Sequence, residues 1–246
     1  MTELLYGRNA VLEAIRAGRR TIGRVLVADG VKEGESVAAI MSAVKQQNLT
    51  LVRGSRGDLD KRTDGANHQG VALECSDYPY ADLDEVLAKA KHAGDDPLLL
   101  ILDHLQDPQN IGTLLRTAEV VGVHGVVIPD RRAAGITPSV VNASAGAVEH
   151  LPVVQVANIA HTLELLKEQQ IWVAGLEDDK RAQDYDVANL RGALALVVGA
   201  EGPGLARLTR ERCDFLVRLP MRGQIASLNA ATAGSIVLYH AWRSRR

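Results

Sequence analysis

Three short segments hold most of the side chains with chemical potential. Asp103-His104-Leu105-Gln106-Asp107-Pro108-Gln109-Asn110 runs into a stretch containing Arg116. Gly199-Ala200-Glu201-Gly202-Pro203-Gly204 follows an aliphatic run, and Leu219-Pro220-Met221 through Ser227-Leu228-Asn229 leads into the last apolar stretch. Together they offer the guanidinium of Arg116, the carboxylate of Glu201, the amides of Asn110 and Asn229 and the hydroxyl of Ser227. Such a set suits polar recognition and deprotonation of a hydroxyl. The seven histidines, at 68, 92, 104, 124, 150, 161 and 240, are scattered without metal-ligand spacing, and no Ser-His-Asp arrangement is visible. Read from the residues alone, the reaction stays open.

Each of these residues also has a purely structural reading. Asn110 is placed to cap a helix by accepting from its free backbone N–H groups. Arg116 lies among small and apolar neighbours and calls for an anion, with Asp103, Asp107 and Glu201 as candidates for a salt bridge. The glycines of 199–204 allow close backbone approach to a ligand, or simply a tight turn. Their spacing is G-x-x-G-x-G, and no G-K-[ST] follows, which argues against a nicotinamide cofactor and a P-loop nucleotide. Ser227 is a candidate cap for the last helix. Asn229, read as one turn inside that helix, would need partners for a buried amide.

The elements that position these loops follow from apolar patterning. Ala10, Val11, Ala14 and Ile15 form a helical stripe, followed by a strand at Arg24–Ala28, a helix at Ser36–Gln47 and strands at Leu49–Arg53 and Gly70–Glu74. The acidic stretch 77–96 reads as a linker, with a short helix at Leu83–His92. Beyond it, strands at Leu98–Leu102, Gly125–Ile128, Leu151–Val156, Ile171–Leu176, Leu194–Val198 and Phe215–Leu219 alternate with helical segments at Asn110–Val121, Pro138–Val148, Ile159–Gln169, Thr209–Arg212 and Leu228–Ser244. This alternation predicts an α/β fold on a mainly parallel sheet. Ligands of such sheets bind in loops beyond the carboxyl ends of the strands, which singles out 103–110, 199–204 and 220–228. The expected organisation is a small α/β domain at 1–76, a linker at 77–96 and a larger domain at 97–246.

Composition narrows the setting. The chain has 246 residues, 46% hydrophobic, with 28 basic and 30 acidic side chains. No apolar run is long enough to span a bilayer, and Met1-Thr2-Glu3 does not open a secretion signal. Cys75 and Cys213 lack the spacing of a zinc or redox pair, so a metal site is not expected and a reducing cytoplasm is. Residues 1–76 carry 11 basic and 9 acidic side chains, whereas 191–246 hold nine arginines and three acids. Arginine suits planar phosphate recognition, and this distribution permits a polyanionic partner.

Taken together, the three segments resemble the motifs of the SpoU (TrmH) family of RNA ribose 2′-O-methyltransferases, within the SPOUT superfamily. The matching pieces are Asp107-Pro108-Gln109-Asn110-Ile111-Gly112 with Arg116-Thr117-Ala118, Val198 to Gly204, and Leu219-Pro220-Met221 with Ser227-Leu228-Asn229. At the front, Tyr6-Gly7-Arg8-Asn9-Ala10-Val11-Leu12-Glu13-Ala14 and His68-Gln69-Gly70-Val71 are similar to the family's RNA-binding domain, which is related to ribosomal protein L30e. Within the family the resemblance is strongest to bacterial enzymes acting on a guanosine in the P loop of 23S rRNA. It departs at Ala230-Ala231, where relatives commonly carry a serine second, and in the detail of 222–226.

The resemblance implies a C-terminal deep trefoil knot that binds S-adenosylmethionine, and a homodimer with its active site at the subunit interface, without metal or membrane. It implies that backbone groups near Gly199, Leu219 and Leu228 hold the cofactor's adenosine. Asn110, Arg116, Glu201, Ser227 and Asn229 match catalytic and substrate-positioning residues. Arg116 would help activate the ribose 2′-hydroxyl, and because its pKa is above about 12, an RNA phosphate is the easier proton acceptor. RNA binding would lean on Arg8, Arg53, Arg56, Lys61 and Arg62. The alternatives are a tRNA or other rRNA ribose methyltransferase, a non-catalytic RNA-binding ribosome-assembly protein, and a small-molecule α/β enzyme, which would leave the front domain unexplained.

Overall fold

The computed structural model describes residues 2–32, 34–131, 133–225 and 227–245. Ala226 and Arg246, both part of the sequence argument, lie outside the described residues. Two compact units result, one of Met1–Pro79 with Ile136–His150, the other of Tyr80–Gly135 with Leu151–Arg246.

The first unit contains β1 (Thr2–Tyr6), α1 (Arg8–Ala17), β2 (Ile22–Ala28), α2 (Glu35–Gln46), β3 (Leu51–Gly54), α3 (Arg56–Arg62) and β4 (Val71–Ser76). Its sheet runs β1-β4-β2-β3, with β4 antiparallel to both neighbours and β2 parallel to β3. The expected stripe on α1 is buried at Ala10, Val11, Ala14 and Ile15. Two elements have no counterpart in the sequence reading. β1 is a five-residue edge strand with only Leu5 buried, too short for its alternation to register. The polar helix α3 buries only Leu59, yet it begins at a serine Ncap: Asp58 N–H donates to Ser55 Oγ at 3.1 Å, and the Ser55 hydroxyl donates to Asp58 Oδ2.

Residues 136–150 are held in this unit by polar bonds as well as packing. Asn142 Nδ2 donates to the Tyr6 carbonyl at 3.0 Å. Arg20 and Glu149, whose side chains are both fully buried, pair at 2.8 Å, and Arg20 also reaches Glu3 at 2.6 Å. Burial alone would lower the Arg20 pKa, but these carboxylates push it up.

The second unit is a seven-stranded sheet between helices. In chain order it has α4 (Leu83–Ala93), β5 (Leu98–Asp103), α5 (Pro108–Val120) and β6 (Gly125–Pro129). The chain then supplies α6 (Pro138–Ala143) to the first unit and resumes with β7 (Val153–Val156), α7 (Ile159–Glu168), β8 (Trp172–Leu176), β9 (Gln183–Asp184), β10 (Leu194–Gly199), α8 (Arg207–Arg212), β11 (Phe215–Arg218) and α9 (Ala230–Ser244). The strand order is β7-β6-β5-β10-β8-β11-β9, and every pairing is parallel. β5 and β10 are buried at every residue, as their continuous aliphatic runs predict. Val86 and Leu87 of α4 and Leu163 and Leu166 of α7 pack in one core with Ile101 and Val197. α5 packs on α9, joined by a 2.8 Å bond between Thr117 Oγ1 and Ser235 Oγ. Gly234 makes the approach close, since a Cβ there would lie 2.7 Å from Leu114 Cδ2. No helix of the described residues is long and apolar enough to cross a membrane.

Candidate active site

At the carboxyl end of β10 the chain folds back sharply. Gly204 N–H donates to the Ala200 carbonyl at 3.0 Å, and a Cβ on Gly199 would collide with the Gly204 backbone. Gly202 and Gly204 have φ of 82° and 69°, the left-handed region that glycine enters without strain. The loop is thus a tight turn and also one wall of a cavity. That cavity, about 420 Å³, is lined by Gly199, Glu201, Leu219, Ser227, Leu228 and Asn229. It opens at the carboxyl ends of β8, β10 and β11, the edge at which ligands of parallel sheets bind.

Side chains from all three loops meet beside it. Asn229 Nδ2 donates to Asn110 Oδ1 at 2.8 Å and to Glu201 Oε1 at 2.5 Å, while Asn229 Oδ1 accepts from Thr232 N–H at 3.0 Å. Two capping assignments change as a result. The cap of α5 is Asp107, whose carboxylate accepts from Gln109 N–H and Asn110 N–H, so Asn110 sits inside the first turn. The cap of α9 is Asn229, an exposed residue ahead of the helix, so it is neither buried nor one turn in, and Ser227 lines the cavity without capping. Because α5 starts at Pro108 and α9 at Ala230, the Ncap positions fall to Asp107 and Asn229.

Arg116 does not fit its structural reading. It is exposed on α5, and the three carboxylates proposed for it are engaged elsewhere: Asp103 with His104 and Ala206 N–H, Asp107 with the α5 N-terminus, Glu201 with Asn229. Among the described residues it has no ion-pair partner, and it does not line the cavity of its own chain. The loop after β8 also takes part, although no motif marks it in the sequence. Glu177 and Asp178 line the cavity there, with Arg218, whose guanidinium is bonded to Asp184 at 2.8 Å and held further up in pKa by it. Their position directly after an aliphatic strand was the available signal.

The arginine-rich C-terminal stretch is largely committed to the fold. Arg207 pairs with Glu211, Arg210 with Glu177, Arg212 with Glu164 and Arg218 with Asp184, and Arg245 donates to the carbonyls of Asp96, Pro97 and Gly192. In the first unit, Arg53, Lys61 and Arg62 line a concavity of about 330 Å³ against β2 and α3, and Arg56 is exposed on the same helix. Arg62 is paired with Glu74 at 2.9 Å, and Arg8 donates to the carbonyls of Gln69 and Lys32.

Residues 97–239 match the SpoU rRNA methylase family, and residues 4–81 match the RNA 2′-O ribose methyltransferase substrate-binding domain. The chain belongs to the SpoU methylase family. As a SpoU family member it is an S-adenosylmethionine-dependent RNA methyltransferase. It is 42% identical over 245 residues to the Bacillus subtilis protein YacO, named for the TrmH family of tRNA/rRNA methyltransferases, across 99% of this chain and 96% of that one. A Staphylococcus aureus protein named for the same family is 41% identical across 98% and 96% of the two chains. Among solved structures, the SpoU methyltransferase AviRb of Streptomyces viridochromogenes in complex with AdoMet shares the fold with a TM-score of 0.79 and 23% identity, covering 98% of this chain and 90% of that one. An RNA 2′-O ribose methyltransferase aligns with a TM-score of 0.77 and 26% identity, over 99% and 88%.

Proposed function

We propose that this SpoU family member methylates the ribose 2′-hydroxyl of a guanosine in the P loop of 23S rRNA, in the cytoplasm. The observation that carries the reading is the Glu201–Asn229–Asn110 chain of hydrogen bonds, which draws one polar group from each motif to the edge of the cavity.

The cavity suits the cofactor. Its volume of about 420 Å³ lies in the ~300–1,000 Å³ range of small-molecule sites. Its glycine-rich wall brings backbone groups close, and the carboxylates of Asp178 and Glu201 suit a cationic ligand. Gly199, Leu219 and Leu228 would hold the adenosine through their backbone groups. When bound, S-adenosylmethionine supplies an electrophilic methyl carbon.

The chain's own residues hold the nucleophile. Asn110 Nδ2 has no partner among the described residues and donates to the ribose of the target nucleotide. Arg116 orients the 2′-hydroxyl and a neighbouring phosphate, and the phosphate takes the proton, because a guanidinium keeps its own at neutral pH. Holding nucleophile and acceptor in near-attack geometry supplies much of the acceleration. Ser227, on the cavity wall, contacts the substrate sugar.

A homodimer completes this arrangement. Ile236 and Tyr239 of α9 and Val120 of α5 are exposed large apolar side chains on two helices packed together, a surface suited to a second copy. Arg116 lies outside the cavity of its own chain, and the second copy brings its Arg116 to that site. Residues 1–76 serve as the RNA-binding domain, with Arg8, Arg53, Arg56, Lys61 and Arg62 toward the RNA, and 97–246 as the catalytic domain with the trefoil knot. The relatives' names give tRNA/rRNA, which keeps tRNA as the second substrate reading. Methyl transfer from labelled S-adenosylmethionine to unmodified 23S rRNA and to tRNA, with ribose methylation mapped, decides between them. A single 2′-O-methylguanosine in the P loop is expected; label on tRNA alone overturns the target.

A further inference from the structure

A second concavity lies at the same edge of the sheet, beyond β5, β6 and β7, and the cofactor cavity makes no use of it. It measures about 290 Å³ and is lined by His104, Pro129, Arg131, the start of α7 and the start of α8, where Leu208 is 51% exposed. It is organised by a buried carboxylate. Asp103 is 0% exposed; its Oδ1 holds His104 Nδ1 at 2.5 Å and its Oδ2 accepts from Ala206 N–H at 2.8 Å, so one charge fixes two walls. His104 is held at φ 62°, unusual for a residue with a side chain. With Nδ1–H donated to Asp103, Nε2 is the ring nitrogen left for a ligand, and it accepts when the ring is neutral. Arg131 is exposed and has no ion-pair partner among the described residues. At the start of α7, the Asn158 side chain caps His161 N–H, which leaves the Ile159 and Ala160 amides outside the helix's own ladder.

We propose that this concavity binds a ribonucleotide of the substrate RNA flanking the methylated one. Arg131 and the first amides of α7 take its phosphate, His104 Nε2 accepts from its ribose 2′-hydroxyl, and Leu208 and Pro129 provide an apolar surface for its base. One loop serves both cavities, since His104 lines this one and Asn110 joins the hydrogen-bond chain of the other. Six residues of extended chain span at most about 22 Å, within a few nucleotides of the target.

The inference rests on RNA being the substrate. Its test is steady-state methyl transfer to an unmodified 23S rRNA transcript, and to tRNA if that takes label, by wild type, Arg131→Ala and His104→Gly, a residue that tolerates the left-handed backbone. Arg131→Ala is expected to raise the KM for RNA about tenfold, leave kcat and cofactor Kd within about twofold, and reduce the slope of log affinity against log salt by about 0.7–0.9. His104→Gly should lose affinity for RNA while binding to an RNA with 2′-deoxy flanking nucleotides is already weak in wild type. An unchanged RNA KM in Arg131→Ala, with wild type active, overturns the flanking subsite alone. A wild type that neither binds nor methylates RNA overturns the substrate reading with it.

Discussion

Asn229 spends both amide hydrogens within the protein, one on Asn110 Oδ1 at 2.8 Å and one on Glu201 Oε1 at 2.5 Å. A carboxylate only accepts, so Glu201 dictates which way the Asn229 amide faces, and Asn229 in turn dictates that Asn110 presents oxygen inward. The Asn110 NH₂ group is thereby turned free for a ligand. The same Asn229 caps α9, which makes helix entry and site geometry one feature.

Replacing Asn229 by aspartate separates the two roles. Aspartate caps a helix as well as asparagine does, but it cannot donate and it faces Glu201 with like charge. Asn229→Asp is expected to keep its Tm within a few degrees and lose methyl transfer by roughly a hundredfold. Asn229→Ala should in addition lose about 1 kcal/mol of stability, read from urea unfolding.

Arg116 is exposed and makes no ion pair among the described residues, so its removal should cost less than about 0.5 kcal/mol. Arg116→Ala is expected to bind S-adenosylmethionine normally while methyl transfer falls to background. Arg116→Lys should not rescue it, because an ammonium cannot engage a hydroxyl and a phosphate in one plane. Substantial activity in Arg116→Ala would remove the residue from the mechanism.

The buried pair Arg20–Glu149 predicts asymmetric behaviour. Glu149→Ala takes the buried counter-charge from a fully buried guanidinium, leaving it Glu3 and the Ser76 carbonyl, and should destabilise the protein by up to about 3–5 kcal/mol. A double replacement, Arg20→Met with Glu149→Leu, should recover much of that loss by removing both charges. Chemical denaturation of the three variants checks it; equal losses in the single and double variants would count against the pair as the cause.

The two thiols predict an alkaline limb of stability. Burial pushes Cys75 up to about 11 and, with Asp214 and Asp103 adding to burial, Cys213 up to about 12, from an ordinary 9.0. The raised folded values mean that the stabilisation is complete below pH 9 and is lost as pH rises through 11 to 12. Cys75→Ala and Cys213→Ala should each flatten that limb in melting curves from pH 8 to 11. Both native thiols should resist alkylation at pH 7.5 until the protein unfolds.

The parts of this protein written in its sequence are those that depend on local periodicity and local chemistry. All-aliphatic runs such as Leu98–Leu102 and Leu194–Val198 are strands because only a sheet covered on both faces buries every residue of such a run. The loops at their carboxyl ends, the helix Leu83–Ala93 within the acidic stretch and the motif residues could be read for the same reason. Tertiary structure decided what depends on partners distant in the chain. The edge strand β1 is specified by its pairing with β4, seventy residues away in register from Thr2 to Ser76, and not by its own five residues. The destinations of the carboxylates of Asp103, Asp107 and Glu201, and with them the exposure of Arg116, follow from which donors the fold brings within 3.5 Å. Residues 136–150 join the first unit because Glu149 finds Arg20 there, and a buried charge goes where its counter-charge is.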